Sequence, residues 1–238
     1  MTLDHIWGLK ALSKPYHQAC IDWAEQLLIA GNSSENVLIL ASLGLDKVQE
    51  FYEVEGYFER AVHDLGEIEP EYFSAIKNYG LYICHQMLAG ELALEENIDL
   101  LAEVYPSTNY DYGIFTIWSD LCDDLDMLGS DDPYYGNTLL TKANKLTYIE
   151  NQLRHFIVLL NSDVPSNFMS LYICQGCNKL VKARWQQRTR ISGCQKLMIQ
   201  LKLQKPKYAT ECLFCGSTNV TGLHTIEARE KALTMLNN

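Results

Sequence analysis

Two cysteine pairs, Cys174-Gln-Gly-Cys177 and Cys212-Leu-Phe-Cys215, constrain this chain more than any other feature. A C-x-x-C places two sulfurs on one tight turn. Two such turns supply four sulfurs for the corners of a tetrahedron, the geometry and ligand type that Zn²⁺ prefers. Gly216-Ser217-Thr218-Asn219 can form the small turn that directs backbone N–H groups at the sulfurs. The competing readings are a pair of disulfides or four unrelated buried cysteines. A closed four-sulfur site leaves no position for water or substrate, so zinc here is expected to be structural. The 34 residues between the pairs (178–211) make a long loop, expected to fold into strands of its own. A part of about 65 residues has a small core, and metal binding on the order of 10–16 kcal/mol supplies its stability.

The other cysteines divide by context. Cys20, Cys84 and Cys122 lie in helical patterns and read as small hydrophobes. Cys194 lies between the two pairs without a partner at knuckle spacing, which leaves an alternative-ligand role open. His224, nine residues after Cys215, is a candidate to orient or replace a cysteine and is left outside the site. The chain starts Met1-Thr2-Leu3-Asp4 without a basic or apolar leader pattern, which argues against secretion. Its longest apolar stretch, 37–45, is too short to cross a bilayer, so no membrane role is expected. A reducing cytoplasm is the expected location.

Charge is distributed unevenly. Residues 1–170 hold 8 Lys/Arg against 27 Asp/Glu, a balance of −19, whereas residues 171–238 hold 11 against 3, a balance of +8. Such asymmetry implies partners of opposite sign, attraction between the two parts, or two solvated surfaces.

With 238 residues, 47 % of them hydrophobic, the chain fits one large domain or two unequal ones. Apolar stripes at helical spacing run through 16–28, 54–65, 72–87, 92–104, 115–128 and 146–160, with Gly31, Gly66 and Gly90 as stops. The expected fold is mainly α: an acidic all-α domain over 1–163, of α-solenoid or HEAT-like architecture but without a fixed repeat period. Residues 161–167 read as a linker. A basic β domain over 168–238 follows, with strands at 168–173, 180–185 and 197–203 and a closing helix at 225–236.

The cysteine-bearing part, about 171–220, resembles the four-cysteine zinc ribbons of transcription factors, translation proteins and bacterial accessory domains. The resemblance implies a ligand set of Cys174, Cys177, Cys212 and Cys215 and carries no function of its own, since such ribbons bind DNA, RNA or protein. Within it Lys182, Arg184, Trp185, Arg188 and Arg190 form a candidate basic surface, with Lys179, Lys196, Lys202, Lys205, Lys207 and Tyr208 nearby. Cations around an aromatic platform suit single-stranded nucleic acid, and they equally keep an exposed two-stranded arm soluble.

In the helical part the acidic and aromatic segment 105–135 is the candidate partner surface. Its residues are Tyr112, Trp118, Asp120, Asp123, Asp124, Asp126, Asp131, Asp132, Tyr134 and Tyr135. Aromatic rings give contact area at low entropy cost, and aspartates complement a basic partner. A calcium loop does not fit, because the aspartates lack the alternating spacing and central glycine. Phosphate-binding glycine loops, G-x-S-x-G and H-E-x-x-H are absent, and the six histidines are scattered, so no catalytic residue is expected.

The acidic helical part also resembles, loosely and without a defining motif, the immunity proteins that bacteria pair with secreted toxins. That resemblance implies a non-enzymatic protein that occludes a basic toxin's active site. The alternatives are a nucleic-acid-associated zinc-ribbon regulator, and an enzyme whose site is assembled from residues without a motif.

Overall fold

In the computed structural model, the residues described are 2–32, 34–45, 50–128, 137–187, 198, 201, 205 and 208–237. The helical part starts with a helix that the periodicity does not announce. Helix α1, Leu3–Ala11, is capped by Thr2, whose Oγ1 accepts from the His5 N–H. Glycine in its middle weakens the helical signal, but Gly8 has a packing role. A Cβ at this position would stand 2.2 Å from Tyr79 Cβ, so the absence of a side chain lets α1 close onto its neighbour.

Helices α2 (His17–Ile29), α3 (Glu35–Ser42), α4 (Phe51–Asp64) and α5 (Tyr72–Ala89) follow. The expected stops Gly31, Gly66 and Gly90 all take left-handed backbone, at φ +91, +71 and +79. The stretch expected as one helix over 92–104 is instead turns followed by the single turns α6 (Asp99–Ala102) and α7 (Val104–Ser107). The Asn97 side-chain amide and backbone N–H both donate to the Ala93 carbonyl, at 3.0 and 3.2 Å, closing a single local turn. Pro106 fits in α7 because a first-turn N–H has no partner inside the helix. Helices α8 (Thr116–Asp126) and α9 (Lys145–Leu160) match the expected stripes.

The cysteine-bearing part is a four-stranded antiparallel sheet in the order β3-β2-β1-β4. Its strands are β1 (Leu171–Cys174), β2 (Lys179–Gln187), β3 (Tyr208–Cys212) and β4 (Val220–Gly222). Strand β1 starts later than expected, because Phe168–Ser170 is a 3-10 turn. Of the strand expected over 197–203 only Met198 and Leu201 are described, and Met198 is helical while Leu201 lies in a turn. The C-terminal helix, Ile226–Leu236, is capped by Thr225 Oγ1 accepting from the Ala228 N–H at 3.2 Å.

Two apolar clusters hold these elements. The smaller joins Ile6, Trp7, Ile21, Trp23, Leu40 and Phe58 of α1–α4. The larger joins Ile76, Trp118, Phe156 and Leu159 of α5–α9 with Ile173, Leu223 and Ala232 of the cysteine-bearing part. Residues 161–167 therefore mark a change of secondary structure and charge, while the apolar core runs across them. Helix α1 packs most heavily on α5, a contact that skips three helices, unlike the neighbour-to-neighbour contacts of a stacked repeat. Among the described residues no helix is long and apolar enough to cross a membrane.

Candidate metal centre

Strand ends carry the sulfurs together. Cys174 ends β1 opposite Lys179 and Val220, and Cys212 ends β3 opposite Ala183. Cys177 and Cys215 follow on the two turns. All four Sγ atoms lie within 4.8 Å of one another, with Cys174–Cys215 at 3.5 Å and Cys177–Cys212 at 4.0 Å. A tetrahedron with metal–sulfur bonds of about 2.3 Å has edges of about 3.8 Å, so the cluster has the size of a four-thiolate metal site. The four cysteines are free thiols, close enough to bind a metal ion and compatible with zinc.

The two turns share one backbone solution. The residue after each pair is left-handed, Asn178 at φ 50 and Gly216 at φ 67. Asparagine and glycine are the residues that tolerate this region best. Gly176 is needed for closeness: a Cβ there would meet Ser217 Cβ at 2.7 Å and Cys215 Sγ at 3.4 Å. The second turn is closed by Gly216 N–H donating to Cys212 O (2.8 Å) and Cys212 N–H donating to Ser217 O (2.9 Å). The Cys215 N–H also points at Cys212 Sγ, at 3.4 Å. The thiols titrate as a group: backbone N–H groups and neighbouring thiols lower Cys174 against its burial, whereas burial and the same neighbouring thiols raise Cys177. Cationic or metal partners favour the thiolate form.

Elsewhere the cysteines behave as apolar residues. Cys20 and Cys84 are fully buried, and burial pushes the Cys20 thiol up to about 12. Cys122 is half-buried and its thiol donates to Asp99 Oδ1. Cys194 lies outside the described residues. His224 lines a cavity and is not part of the sulfur cluster.

The expected partner surface is only partly at the surface. Trp118 is fully buried, edge-on to Phe156 in the larger core, and offers no contact area; the helical period places it on the inner face of α8. Tyr112 is half-buried between Phe73 and Phe115. Asp120 and Asp123 are exposed and Asp124 is half-buried, accepting from Asn137 Nδ2. These three line one cavity, while Asp126 opens onto a second one with Glu95, Asp99 and Lys145. Asp131, Asp132, Tyr134 and Tyr135 lie outside the described residues, as do Arg188 and Arg190.

The expected basic surface is divided by strand alternation. Trp185 shares a face of β2 with Ala183 and Lys179, whereas Lys182 and Arg184 point to the opposite face. Trp185 instead stacks diagonally on Tyr208, with ring centroids 6.4 Å apart and an interplanar angle of 21°.

A polar cluster that the sequence reading missed lies where the C-terminal helix meets α9. Arg229, at 1 % exposure, bonds to Gln152 and His155. Burial and the Arg229 charge drive the His155 pKa down to about 4, so its neutral ring accepts from the guanidinium. The missed signal was an arginine in an apolar stripe, three and four residues before Ala232 and Leu233.

No family model, no curated protein and no solved structure matches this chain.

Proposed function

We propose that this chain is a non-enzymatic binding protein that captures a basic protein partner, as an inhibitor or immunity protein does with a basic toxin. The observation that carries the reading is uncompensated acidity. Residues 1–170 hold 27 Asp/Glu against 8 Lys/Arg, and the ion pairs seen between described residues of this part are Lys10–Glu69, Lys14–Glu103 and Lys145–Glu95. Carboxylates left without internal cations raise a negative potential that accelerates encounter with a cationic protein. In this reading Asp120, Asp123, Asp124 and Asp126 of α8 belong to the contact surface. The four cysteines hold a structural zinc in a ribbon that needs a reducing compartment such as the cytoplasm.

Capture with the full chain at low salt, followed by high-salt elution, tests this. The expected result is a basic protein whose own activity falls when the purified chain is added back. Reversal of Asp123 and Asp126 to lysine is expected to slow association roughly tenfold and leave dissociation nearly unchanged. Elution of no protein, or unchanged on-rates for both variants, contradicts the reading.

One observation favours a second reading, a nucleic-acid-associated ribbon. Trp185 is 70 % exposed and stacked on the exposed Tyr208, the kind of platform on which unpaired bases stack. Salt-sensitive binding of a single-stranded oligonucleotide by the full chain, lost in Trp185→Ala, supports it; binding unaffected by that change rejects it.

A further inference from the structure

Asn109 and Tyr110, which follow α7, are both left-handed, at φ 51 and 67. Asparagine tolerates that backbone, whereas a tyrosine adopts it only with strain. The turn is held by the Asn109 N–H donating to the Pro106 carbonyl and the Tyr110 N–H donating to the Tyr105 carbonyl, both at 3.1 Å. It delivers a ring that stays 66 % exposed and stands edge-on to Tyr105, with centroids 5.1 Å apart and an interplanar angle of 80°. Strain kept at an exposed aromatic position points to a binding site rather than to a core.

Tyr105 and Tyr110 line a cavity of about 360 Å³ between the end of α7, the start of α8 and the residues before β1. That volume lies at the small end of ligand sites, about 300–1,000 Å³. Asp111, Thr116 and Ser170 share the wall. Thr116 Oγ1 donates to the Gly113 carbonyl at 2.9 Å, and Ser170 Oγ donates to the Asn167 carbonyl at 2.7 Å. With their hydrogens committed, these hydroxyls have only lone pairs left for a ligand. The Asp111 carboxylate is likewise an acceptor, and the tyrosine faces are electron-rich. Among the described residues no lysine or arginine lines this cavity. Such a lining suits a flat cation rich in N–H donors.

We infer that this cavity takes an arginine side chain of a polypeptide partner, its guanidinium against the Tyr105 and Tyr110 rings and its N–H groups on Asp111, Thr116 and Ser170. A guanidinium carries five donors in one plane and stacks on aromatic faces, whereas an ammonium is a compact point charge without that plane. Met169 lies in the wall of this cavity and of the neighbouring one that holds Asp120, Asp123 and Asp124. A basic segment seated here therefore continues onto the acidic face of α8. The arginine belongs to the partner that the capture reading requires and in that sense rests on it; short peptide probes need no such partner, so either can fail alone.

Chemical-shift titration of the full zinc-loaded chain tests this, with acetyl-Gly-Arg-Gly-amide and its lysine and citrulline counterparts as probes. The arginine peptide is expected to shift the amides of Tyr110, Asp111, Asn167 and Ser170 to saturation. The citrulline peptide, its neutral isostere, is expected to bind at least roughly tenfold more weakly, with the lysine peptide between them. Asp111→Asn is expected to weaken the arginine peptide roughly tenfold. Tyr110→Gly separates strain from binding: glycine takes the left-handed backbone freely, so the denaturation midpoint should rise while the arginine peptide binds roughly tenfold more weakly. If that chain does not fold, the citrulline comparison and Asp111→Asn still decide. Absence of a saturable shift at these amides overturns the inference, as does equal binding of arginine and citrulline peptides, or tighter binding of free L-arginine than of the peptide. Shifts that spread over the acidic surface alike for arginine and lysine peptides overturn it too. Peptide binding without any captured protein keeps the cavity and removes the capture reading; capture of a basic protein that Asp111→Asn leaves untouched does the reverse.

Discussion

The two apolar clusters of this molecule are built by different means. The smaller is drawn mainly from α1 to α4, with Ala75 of α5 joining residues such as Trp7, Trp23 and Phe58. The larger draws mainly on residues from α5 to the C-terminal helix and includes Ile173 and Leu223 of the cysteine-bearing part. Ile173 directly precedes Cys174 on β1, and Leu223 follows β4, which pairs with β1. The sheet that carries the cysteine cluster thus contributes to the second core, while the first is built without it.

The largest test of that difference removes a sulfur. Cys212→Ser is expected to release the metal, whose binding is worth on the order of 10–16 kcal/mol in comparable sites. Hydrogen exchange should then show loss of protection in β1 and α9 before loss in α2 and α3. Simultaneous loss in all four elements would mean that the clusters unfold as one unit.

Next in size come paired core truncations. Phe156→Ala and Phe58→Ala are each expected to destabilise by about 3–5 kcal/mol in chemical denaturation, since both rings are buried. Only Phe156→Ala should also speed metal loss to a chelator. Equal chelation rates in the two variants would dissolve the distinction between the clusters.

The seam between clusters is open to a smaller perturbation. Gly8→Ala forces a methyl against Tyr79, and about 1–3 kcal/mol of destabilisation is expected, with α1 amides exchanging faster. A neutral result would show that α1 can shift off α5 freely.

The smallest effects belong to the caps. Thr2→Ala and Thr225→Ala each remove a side-chain acceptor at a helix start, for about 1 kcal/mol. The Thr225 change alone should lower metal retention, because the C-terminal helix packs with the sheet; equal retention in both variants would argue that the cap is felt only locally.

Local features of the sequence translated best. The cysteine turns needed only four neighbouring positions each, and Asn178 and Gly216 after them are the residue types their backbone requires. The stripes of α4, α8 and α9 carried one apolar face over several turns and so were legible. Helix α1 was hidden by Gly8, whose reason lies in Tyr79, more than seventy residues away. The Arg229–Gln152 bond spans 77 positions and leaves no local pattern beyond a charge in an apolar stripe. Trp118 was read as surface because its neighbours are acidic; the helical period turns it inward while Asp120 and Asp123 stay out. The separation of Trp185 from Lys182 and Arg184 follows from odd and even positions on one strand.

Intact-mass measurement of the native and the denatured chain tests the metal centre most directly. One zinc per chain is expected in the native spectrum, and on denaturation a metal-free mass with every thiol still alkylatable. A native spectrum without metal, or a denatured mass lowered by the hydrogens lost to disulfides among Cys174, Cys177, Cys212 and Cys215, would contradict it.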